Sequence, residues 1–297
     1  MEVKAYWEKE REVSNQLPLN LTMTQKEFPS QLATVYEISY ESLYEERIYG
    51  WFIEPKNQTN YPLVIEYIGY MNHLVSPLQF MEWLSVGCGV LVTDSRGQGG
   101  KTLDSHPYNS YEGNSLMAKG FLERDDFYLR RLYWDALRLI DVAQELSLVD
   151  KKRVFIHGTS QGGGVGLFAN SWTTHDIRYS FFDVPSHSDL KSRIAAGTGS
   201  YKEIHEYLLA NKDQVEQVHE VMSYFDVKDM VDQISNPVLA SVGESDPICP
   251  KEDFYKAYDK LTGFKELDCY KEPGHGGGGL KHTEKLLRYV LKEMDGD

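Results

Sequence analysis

The sequence has few cysteines, no long apolar run and no excess of positive charge. Its three cysteines, Cys88, Cys249 and Cys269, are too scattered for a disulfide framework or a zinc knuckle. No run approaches the ~20 apolar residues of a membrane span, and the charged N-terminus lacks the apolar core of a signal peptide. The formal net charge of −14 argues against nucleic acid and anionic membranes as partners, because both would be repelled. We therefore expect a cytoplasmic protein.

The sequence also offers nothing that predicts a cofactor or a metal. Its histidines show no metal-ligand spacing. The segment Gly99-Gly100-Lys101-Thr102 looks like the end of a phosphate-binding P-loop, but Ser95 stands where that motif needs a glycine. We expect no cofactor and no metal site.

No internal repeat or low-complexity segment divides the chain, and 297 residues suffice for one large α/β domain. Short apolar runs typical of buried strands alternate with helical periodicity, which predicts an α/β protein with a mostly parallel sheet covered by helices on both faces. Segments 35–40 and 47–53 predict two antiparallel strands. We expect a single domain over residues 1–297, with an N-terminal helical extension in 1–30 and a helical, cap-like insertion in 186–234.

The most informative stretch is a glycine-rich corner, Gly158-Thr159-Ser160-Gln161-Gly162, between an apolar run and a small-residue helix. The pattern G-x-S-x-G in a strand–turn–helix context exposes a serine hydroxyl at the top of a sheet. Flanking glycines let the backbone pass close by, and the following helix directs its N-terminal N–H groups towards a developing oxyanion. A glycine-rich turn with an ordinary capping serine is the other interpretation of the same residues.

A serine nucleophile needs a base, and the base needs a carboxylate that orients it. Such groups collect on loops at the carboxyl ends of parallel strands. Asp246 follows the strand that ends at Gly243, and His275 lies in a glycine-rich loop after the last strand. With Ser160 they give the Ser–Asp–His order of α/β-hydrolases. Other residues remain as alternatives for the acid or the base: Glu244, Asp183 and His282.

Stabilisation of an oxyanion needs two converging N–H donors. The backbone N–H of Gln161, directly after the serine, is the first expected donor. The second is expected in the loop after an earlier strand, where Tyr70 follows Gly69. A glycine that merely ends a strand would explain Gly69 equally well.

Short motifs along nearly the whole chain indicate a particular protein family. In chain order they are Gly50-Trp51-Phe52, Tyr67-Ile68-Gly69-Tyr70, Arg96-Gly97-Gln98, Gly158–Gly164, Asp183-Val184-Pro185, Ser223-Tyr224-Phe225-Asp226 and Asp246 to Pro250. Arg-Gly-Gln, Gly-x-Ser-Gln-Gly and a late histidine in this order resemble the acetyl xylan esterase/cephalosporin C deacetylase family, carbohydrate esterase family 7. The resemblance implies an α/β-hydrolase fold.

The resemblance also implies a role for each site residue. It makes Ser160 the nucleophile, Asp246 the acid and His275 the base. It makes the backbone amides of Tyr70 and Gln161 the oxyanion donors. It makes Arg96 and Gln98, from the Arg-Gly-Gln motif, side chains that support the site. Members of the family form homo-oligomers, namely hexamers whose active sites face an interior chamber that admits small esters.

Two positions depart from the family pattern. Gly276 follows His275 where the family usually has glutamate, which removes a supporting contact expected at the base. The segment before Trp7 is shorter than is typical, which bears on subunit packing.

The sequence thus predicts a serine carboxylesterase. Its expected substrates are small acetylated sugars, xylo-oligosaccharides and cephalosporin C-like esters, cleaved through an acyl-enzyme intermediate. A peptidase or amidase on the same scaffold is one alternative, although nothing in the sequence marks a peptide-binding domain. A non-catalytic binding or assembly protein is the other, and Gly276 is the residue that suggests it.

Overall fold

The apolar runs of the sequence form the centre of a nine-stranded sheet in a computed structural model that describes residues 2–272 and 274–294. Met1, Pro273 in the predicted base loop, and residues 295–297 lie outside the described residues. The strands are β1 (Thr22–Lys26), β2 (Ala33–Glu41), β3 (Arg47–Pro55), β4 (Tyr61–Tyr67), β5 (Gly89–Thr93), β6 (Val149–Thr159), β7 (Tyr179–Asp183), β8 (Val238–Gly243) and β9 (Lys265–Tyr270). Their order across the sheet is β1-β2-β3-β5-β4-β6-β7-β8-β9.

The sheet is parallel from β5 to β9 and antiparallel at its other edge. Strands β4, β5, β6, β7, β8 and β9 pair in parallel, whereas β1, β2 and β3 are joined antiparallel and β3 pairs antiparallel with β5. Parallel strands need crossover connections, which here are helices. The carboxyl ends of β4, β6, β7, β8 and β9 therefore meet at one edge, where loops from distant parts of the sequence come together.

Helices lie on both faces of the sheet. They are α1 (Glu2–Gln16), α2 (Met81–Leu84), α3 (Tyr128–Glu145), α4 (Gln161–Trp172), α5 (Leu190–Ala196), α6 (Lys202–Ala210), α7 (Val215–Ser223), α8 (Lys251–Tyr258) and α9 (Gly279–Met294). Within the two described ranges, no helix is both long and apolar enough to cross a membrane.

Successive residues of the central strands enter two separate cores. In β4, Leu63 and Ile65 pack against the side that carries α3 and α4, while Val64 packs with Leu286 and Val290 of α9. Because side chains alternate across a strand, a continuous apolar run fits only a strand that is covered on both faces. This explains why the central strands read as unbroken apolar runs and not as alternating patterns.

The N-terminal segment differs from the predicted helical extension. Residues 2–16 form α1, but β1 then adds an edge strand that pairs with β2. All five residues of β1 are exposed, so the sequence Thr-Met-Thr-Gln-Lys has no buried face that would mark it as a strand. Its backbone pairs with the open edge of β2, a contact that no local pattern records.

Helix α1 is held against the domain by Trp7, which is fully buried. The indole N–H of Trp7 donates to the carbonyl oxygen of Tyr224 at 2.6 Å, and its ring meets that of Phe168 in α4 edge-on, with 4.4 Å between centroids. Burial of a tryptophan whose N–H is satisfied contributes several kcal/mol, about 3–5 on truncation to alanine. Trp7 therefore anchors the N-terminal helix to the domain.

Candidate active site

Ser160 lies at a sharp turn between β6 and α4. Its backbone has φ +59° and ψ −118°, a conformation that L-residues rarely adopt. Gly162 is needed for this turn, because a Cβ atom added there would lie 1.8 Å from the carbonyl oxygen of Tyr67 in β4. The start of α4 therefore packs directly against β4, and Ser160 lies at the edge of the sheet where the parallel strands end.

Asp246 and His275 meet at the same edge. The Nδ1 atom of His275 lies 2.7 Å from Oδ2 of Asp246, in a hydrogen bond between the loops that follow β8 and β9. The other carboxylate oxygen of Asp246 accepts the backbone N–H groups of Ile248 at 2.8 Å and Cys249 at 3.0 Å. With the carboxylate buried and fixed in this way, Nδ1 of His275 is held as the donor and Nε2 is left as the basic nitrogen.

The second ring nitrogen of His275 is available for catalysis. Nε2 is buried and forms no hydrogen bond within residues 2–272 and 274–294. Cys249 lines the same cavity as Ser160, and burial raises the pKa of its thiol to about 12. A thiol with so high a pKa stays protonated at neutral pH and is a poor nucleophile.

The alternative acids and base have other partners. Asp183 lies 3.1 Å from Nε2 of His282 and 3.3 Å from Nε2 of His157, and it accepts the Ser241 hydroxyl at 2.9 Å. Burial opposes ionisation of Asp183, but the two histidines outweigh it and lower its pKa. The third candidate, Glu244, is exposed. The structure thus brings Asp246, and neither alternative acid, against His275.

The two expected oxyanion residues lie beside the serine. Tyr70 and Gln161 line the same cavity as Ser160. A Cβ atom added at Gly69 would be 3.9 Å from the Cβ of Ser160, so the loop after β4 runs directly past the nucleophile turn. This is the position from which a second backbone donor has to come.

Gln98 ties these two donor segments together. Its side-chain oxygen accepts the N–H of Met71, next to Tyr70, at 2.7 Å. Its amide nitrogen donates to the side-chain oxygen of Gln161 at 3.0 Å and lies 2.9 Å from the Tyr128 hydroxyl. Gln98 is 1% exposed, so removal of its amide would leave the Met71 N–H and the Gln161 side-chain oxygen without these partners, while the Tyr128 hydroxyl would keep its hydrogen bond to the carbonyl oxygen of Arg96.

Replacing Gln98 with alanine is therefore expected to lower kcat for an acetyl ester about tenfold and to cost about 1–3 kcal/mol in the free energy of unfolding. Steady-state kinetics and denaturant unfolding measure the two effects. The matched control is Gln79→Ala, which removes a side chain that caps the turn at Pro77–Phe80, away from the cavity, and should leave kcat unchanged. An unaltered kcat in Gln98→Ala, with stability reduced, would limit Gln98 to a structural role.

Arg96 lies beneath this network and is fully buried. Its guanidinium donates to both carboxylate oxygens of Asp135 at 2.7 Å, and it also pairs with Glu46. Burial opposes ionisation of Glu46, but Arg96 and Arg131 outweigh it and lower the pKa of that carboxyl. These contacts join the loop after β5 to α3, as expected of a residue that supports the site from below.

The cavity above Ser160 has a volume of about 420 Å³. One wall comes from the strand-end loops that carry Tyr70 and Cys249, and another comes from the 186–234 segment through Arg193 and Tyr201. A pocket of a few hundred Å³ suits a small ligand. Sequence reasoning missed Arg193, because nothing in the pattern of α5 separates this arginine from a surface charge.

The departure at Gly276 does not disturb His275, the predicted base. A Cβ atom added at Gly276 would meet no atom within 4 Å, so a larger side chain would fit there. The contact between His275 and Asp246 forms without it. Among the described residues, no group of three or more His, Cys, Asp and Glu side chains is placed to hold a metal ion.

A serine turn on a mostly parallel sheet, with a carboxylate and a histidine from later strand ends, defines the α/β-hydrolase class. The sequence model of the acetyl xylan esterase (AXE1) family matches residues 2–293. The chain therefore belongs to the acetyl xylan esterase family. The predicted family and fold class are confirmed.

Known relatives agree with this assignment. The chain is similar to the solved acetyl xylan esterase from Paenibacillus sp. R4, with a TM-score of 0.93, 28% identity and coverage of 98% of this chain and 94% of the other. Acetyl xylan esterase 1 from Thermoanaerobacterium sp. JW/SL YS485 has the same fold, with a TM-score of 0.91, 24% identity and coverage of 98% and 93%. Acetyl esterase Axe7A from Xylanibacter ruminicola is 24% identical over 269 residues, which are 88% of this chain. The chain spans 60% of the length of that curated relative.

Proposed function

We propose that this chain is a serine carboxylesterase that removes O-acetyl groups from small acetylated sugars, with Ser160, Asp246 and His275 as its catalytic triad. The observation that carries the proposal is the 2.7 Å contact between His275 and a buried Asp246, at the sheet edge to which the strained turn brings Ser160. The family match over residues 2–293 supports the ester-hydrolase class.

In the proposed reaction the Ser160 hydroxyl hydrogen-bonds to Nε2 of His275 when substrate binds, since catalytic hydrogen bonds often tighten only in the substrate complex. Nε2 takes the proton as Oγ attacks the acetyl carbon, and the backbone N–H groups of Tyr70 and Gln161 stabilise the oxyanion. His275 then protonates the departing sugar hydroxyl. A water molecule, deprotonated by His275, attacks the acetyl-enzyme and releases acetate.

The substrate class follows from the relatives and from the cavity. Two solved relatives are called acetyl xylan esterases and the curated relative an acetyl esterase, which favours acetylated xylo-oligosaccharides, with cephalosporin C-like esters as a second substrate. We propose the 186–234 segment as a cap, because Arg193 and Tyr201 of this segment line the cavity that contains Ser160. The family match over residues 2–293 favours the esterase over the peptidase alternative. The unbroken contact of His275 argues against a non-catalytic protein.

A series of 4-nitrophenyl esters tests the acyl specificity. We expect kcat/KM to fall about tenfold or more from acetate to butyrate and further for octanoate, because a small acyl pocket beside Ser160 would accommodate extra methylenes poorly. Initial rates across the series, together with acetate release from acetylated xylo-oligosaccharides, measure this. Faster turnover of octanoate than of acetate, or a preference for peptide substrates, would contradict the proposal.

We further propose that residues 1–297 form one domain, and that the protein is a cytoplasmic homo-oligomer, a hexamer like its family. The resemblance of the motifs supports the oligomer, and three free cysteines, two of them buried, suit a reducing compartment. Light scattering coupled to size-exclusion chromatography tests the subunit number. Cell fractionation tests the location.

A further inference from the structure

The cavity above Ser160 is lined by one charged side chain, Arg193 of α5. The other lining residues that the structure describes include no aspartate, glutamate or lysine. This is unexpected in a chain whose formal net charge is −14. The charge that faces a substrate is therefore positive, opposite in sign to that of the molecule as a whole.

Arg193 also has side-chain donors that the described residues leave unused. It is 8% exposed, and within the described residues its guanidinium forms no hydrogen bond. Its ion-pair partner, Asp253, lies 3.7 Å away. Arg96 and Arg130, by contrast, each donate two hydrogen bonds to one carboxylate, at distances of 2.7 to 3.1 Å. A guanidinium buried against a cavity with its donors free is suited to bind a carboxylate there.

The positive charge of Arg193 changes the pKa values of two residues that line the cavity. Burial, and secondarily Arg193, lowers the pKa of His187 to about 3, so this cavity-lining imidazole stays neutral. Arg193 also opposes the burial that raises the pKa of Cys249. The positive charge of Arg193 therefore acts close to Ser160. Among the described lining residues, no carboxylate neutralises it and no other arginine or lysine adds to it.

We infer that Arg193 binds a carboxylate on the substrate, so that among small acetylated sugars those that carry a carboxylate are preferred to neutral ones. The inference rests on the proposed esterase function. Because an acetyl group carries no charge, the carboxylate has to belong to the alcohol part of the ester, as in an O-acetylated uronic acid. A planar guanidinium can hold such a carboxylate through two parallel hydrogen bonds, which fixes the orientation of the sugar as well as attracting it.

The competing explanation is that Arg193 serves only its ion pair with Asp253. Asp253 is itself half-buried, and its pKa is raised by burial against the opposing effect of Arg193. If the ion pair were the role of Arg193, removal of either partner would have the same consequence. If Arg193 binds substrate, removal of Asp253 frees the guanidinium and should preserve or increase the preference for anionic esters.

The test compares the O-acetylated methyl glycoside of glucuronic acid with its C6-amide, which has nearly the same shape and no charge. We expect the wild-type protein to prefer the acid about tenfold or more in kcat/KM, mostly through KM, and Arg193→Gln to abolish the preference. Arg193→Lys should retain part of it, and Asp253→Asn should retain all of it. Lys202→Gln, which removes an exposed cation from α6, should not change the ratio. The ratio within each variant cancels losses of folded protein.

Binding of the acid and the amide to Ser160→Ala, measured by calorimetry, provides a readout that does not need turnover. Equal rates and equal affinities for the acid and the amide in the wild-type background would overturn the inference and leave the esterase proposal standing. An equal loss of preference in Asp253→Asn and Arg193→Gln would overturn it in favour of the ion pair. Failure of either ester to release acetate, with no labelling of Ser160 by a fluorophosphonate, would instead refute the esterase proposal.

Discussion

Replacing Ser160 with alanine is expected to lower kcat/KM for 4-nitrophenyl acetate by roughly 10⁴-fold or more, without loss of the folded structure. The substitution removes the atom that forms the acyl-enzyme, so the oxyanion donors and the base are left without a covalent route. What remains is the slow attack of water on an ester held in the cavity.

The fold should tolerate this change because the hydroxyl does not hold the turn. The backbone N–H of Ser160 donates to the carbonyl of Asp183 at 2.8 Å, and its carbonyl accepts the N–H of Ser186 at 2.9 Å. Alanine keeps both hydrogen bonds and the same positive φ. We therefore expect the midpoint of thermal unfolding to change by no more than a few degrees.

The measurements are ester hydrolysis, labelling with a fluorophosphonate probe and circular dichroism during heating. The matched control is Ser200→Ala, which removes another serine hydroxyl from the same cavity and should retain activity within a few-fold of the wild type. Activity in Ser160→Ala close to that of the control would remove Ser160 from the mechanism.

Replacing Asp246 with asparagine is expected to lower kcat by about 10³- to 10⁴-fold and to change KM little. The side-chain oxygen of asparagine can still accept the N–H groups of Ile248 and Cys249, so the loop should keep its shape. The amide nitrogen, however, replaces the oxygen that accepts from Nδ1 of His275. The ring must then present Nδ1 as an acceptor and carry its proton on Nε2, where it cannot take the proton of Ser160.

Two controls separate Asp246 from the other candidate acids. Glu244→Gln changes an exposed carboxylate on the same loop and should leave kcat within a few-fold of the wild type. Asp183→Asn disturbs a carboxylate that contacts His157 and His282, so its main effect should be a lower free energy of unfolding. A loss of kcat in Glu244→Gln as large as that in Asp246→Asn would contradict the assignment of the acid.

Much of the fold could be predicted from local pattern. Apolar runs such as that of β4 have a length and composition that fit only a strand buried on both faces, and the amphipathic period of α3 is equally local. Strand β1 could not be predicted in the same way, because its five exposed residues carry no burial pattern. It is a strand because β2 offers it an open edge, which is a property of the sheet.

In the candidate site, too, one part could be predicted from local sequence and another part could not. The turn at Ser160 could be recognised from its glycines, because the close approach of Gly162 to Tyr67 allows no side chain. The acid and the base could be placed only on loops, with Glu244, Asp183 and His282 left open. The choice was made by contacts between segments far apart in the chain, namely His275 with Asp246, and His282 with Asp183.

The sequence by itself determined the family and the strand–turn–helix around Ser160, because these depend on short motifs of residues that are neighbours in the chain. Only the tertiary structure decided that Gln98 joins the segments that carry Tyr70 and Gln161, and that Arg193 is buried at the cavity with no hydrogen bond from its guanidinium to the described residues. A hydrogen bond or a free guanidinium depends on the distance between atoms whose residues lie tens of positions apart. Packing sets that distance, and no local pattern in the sequence records it.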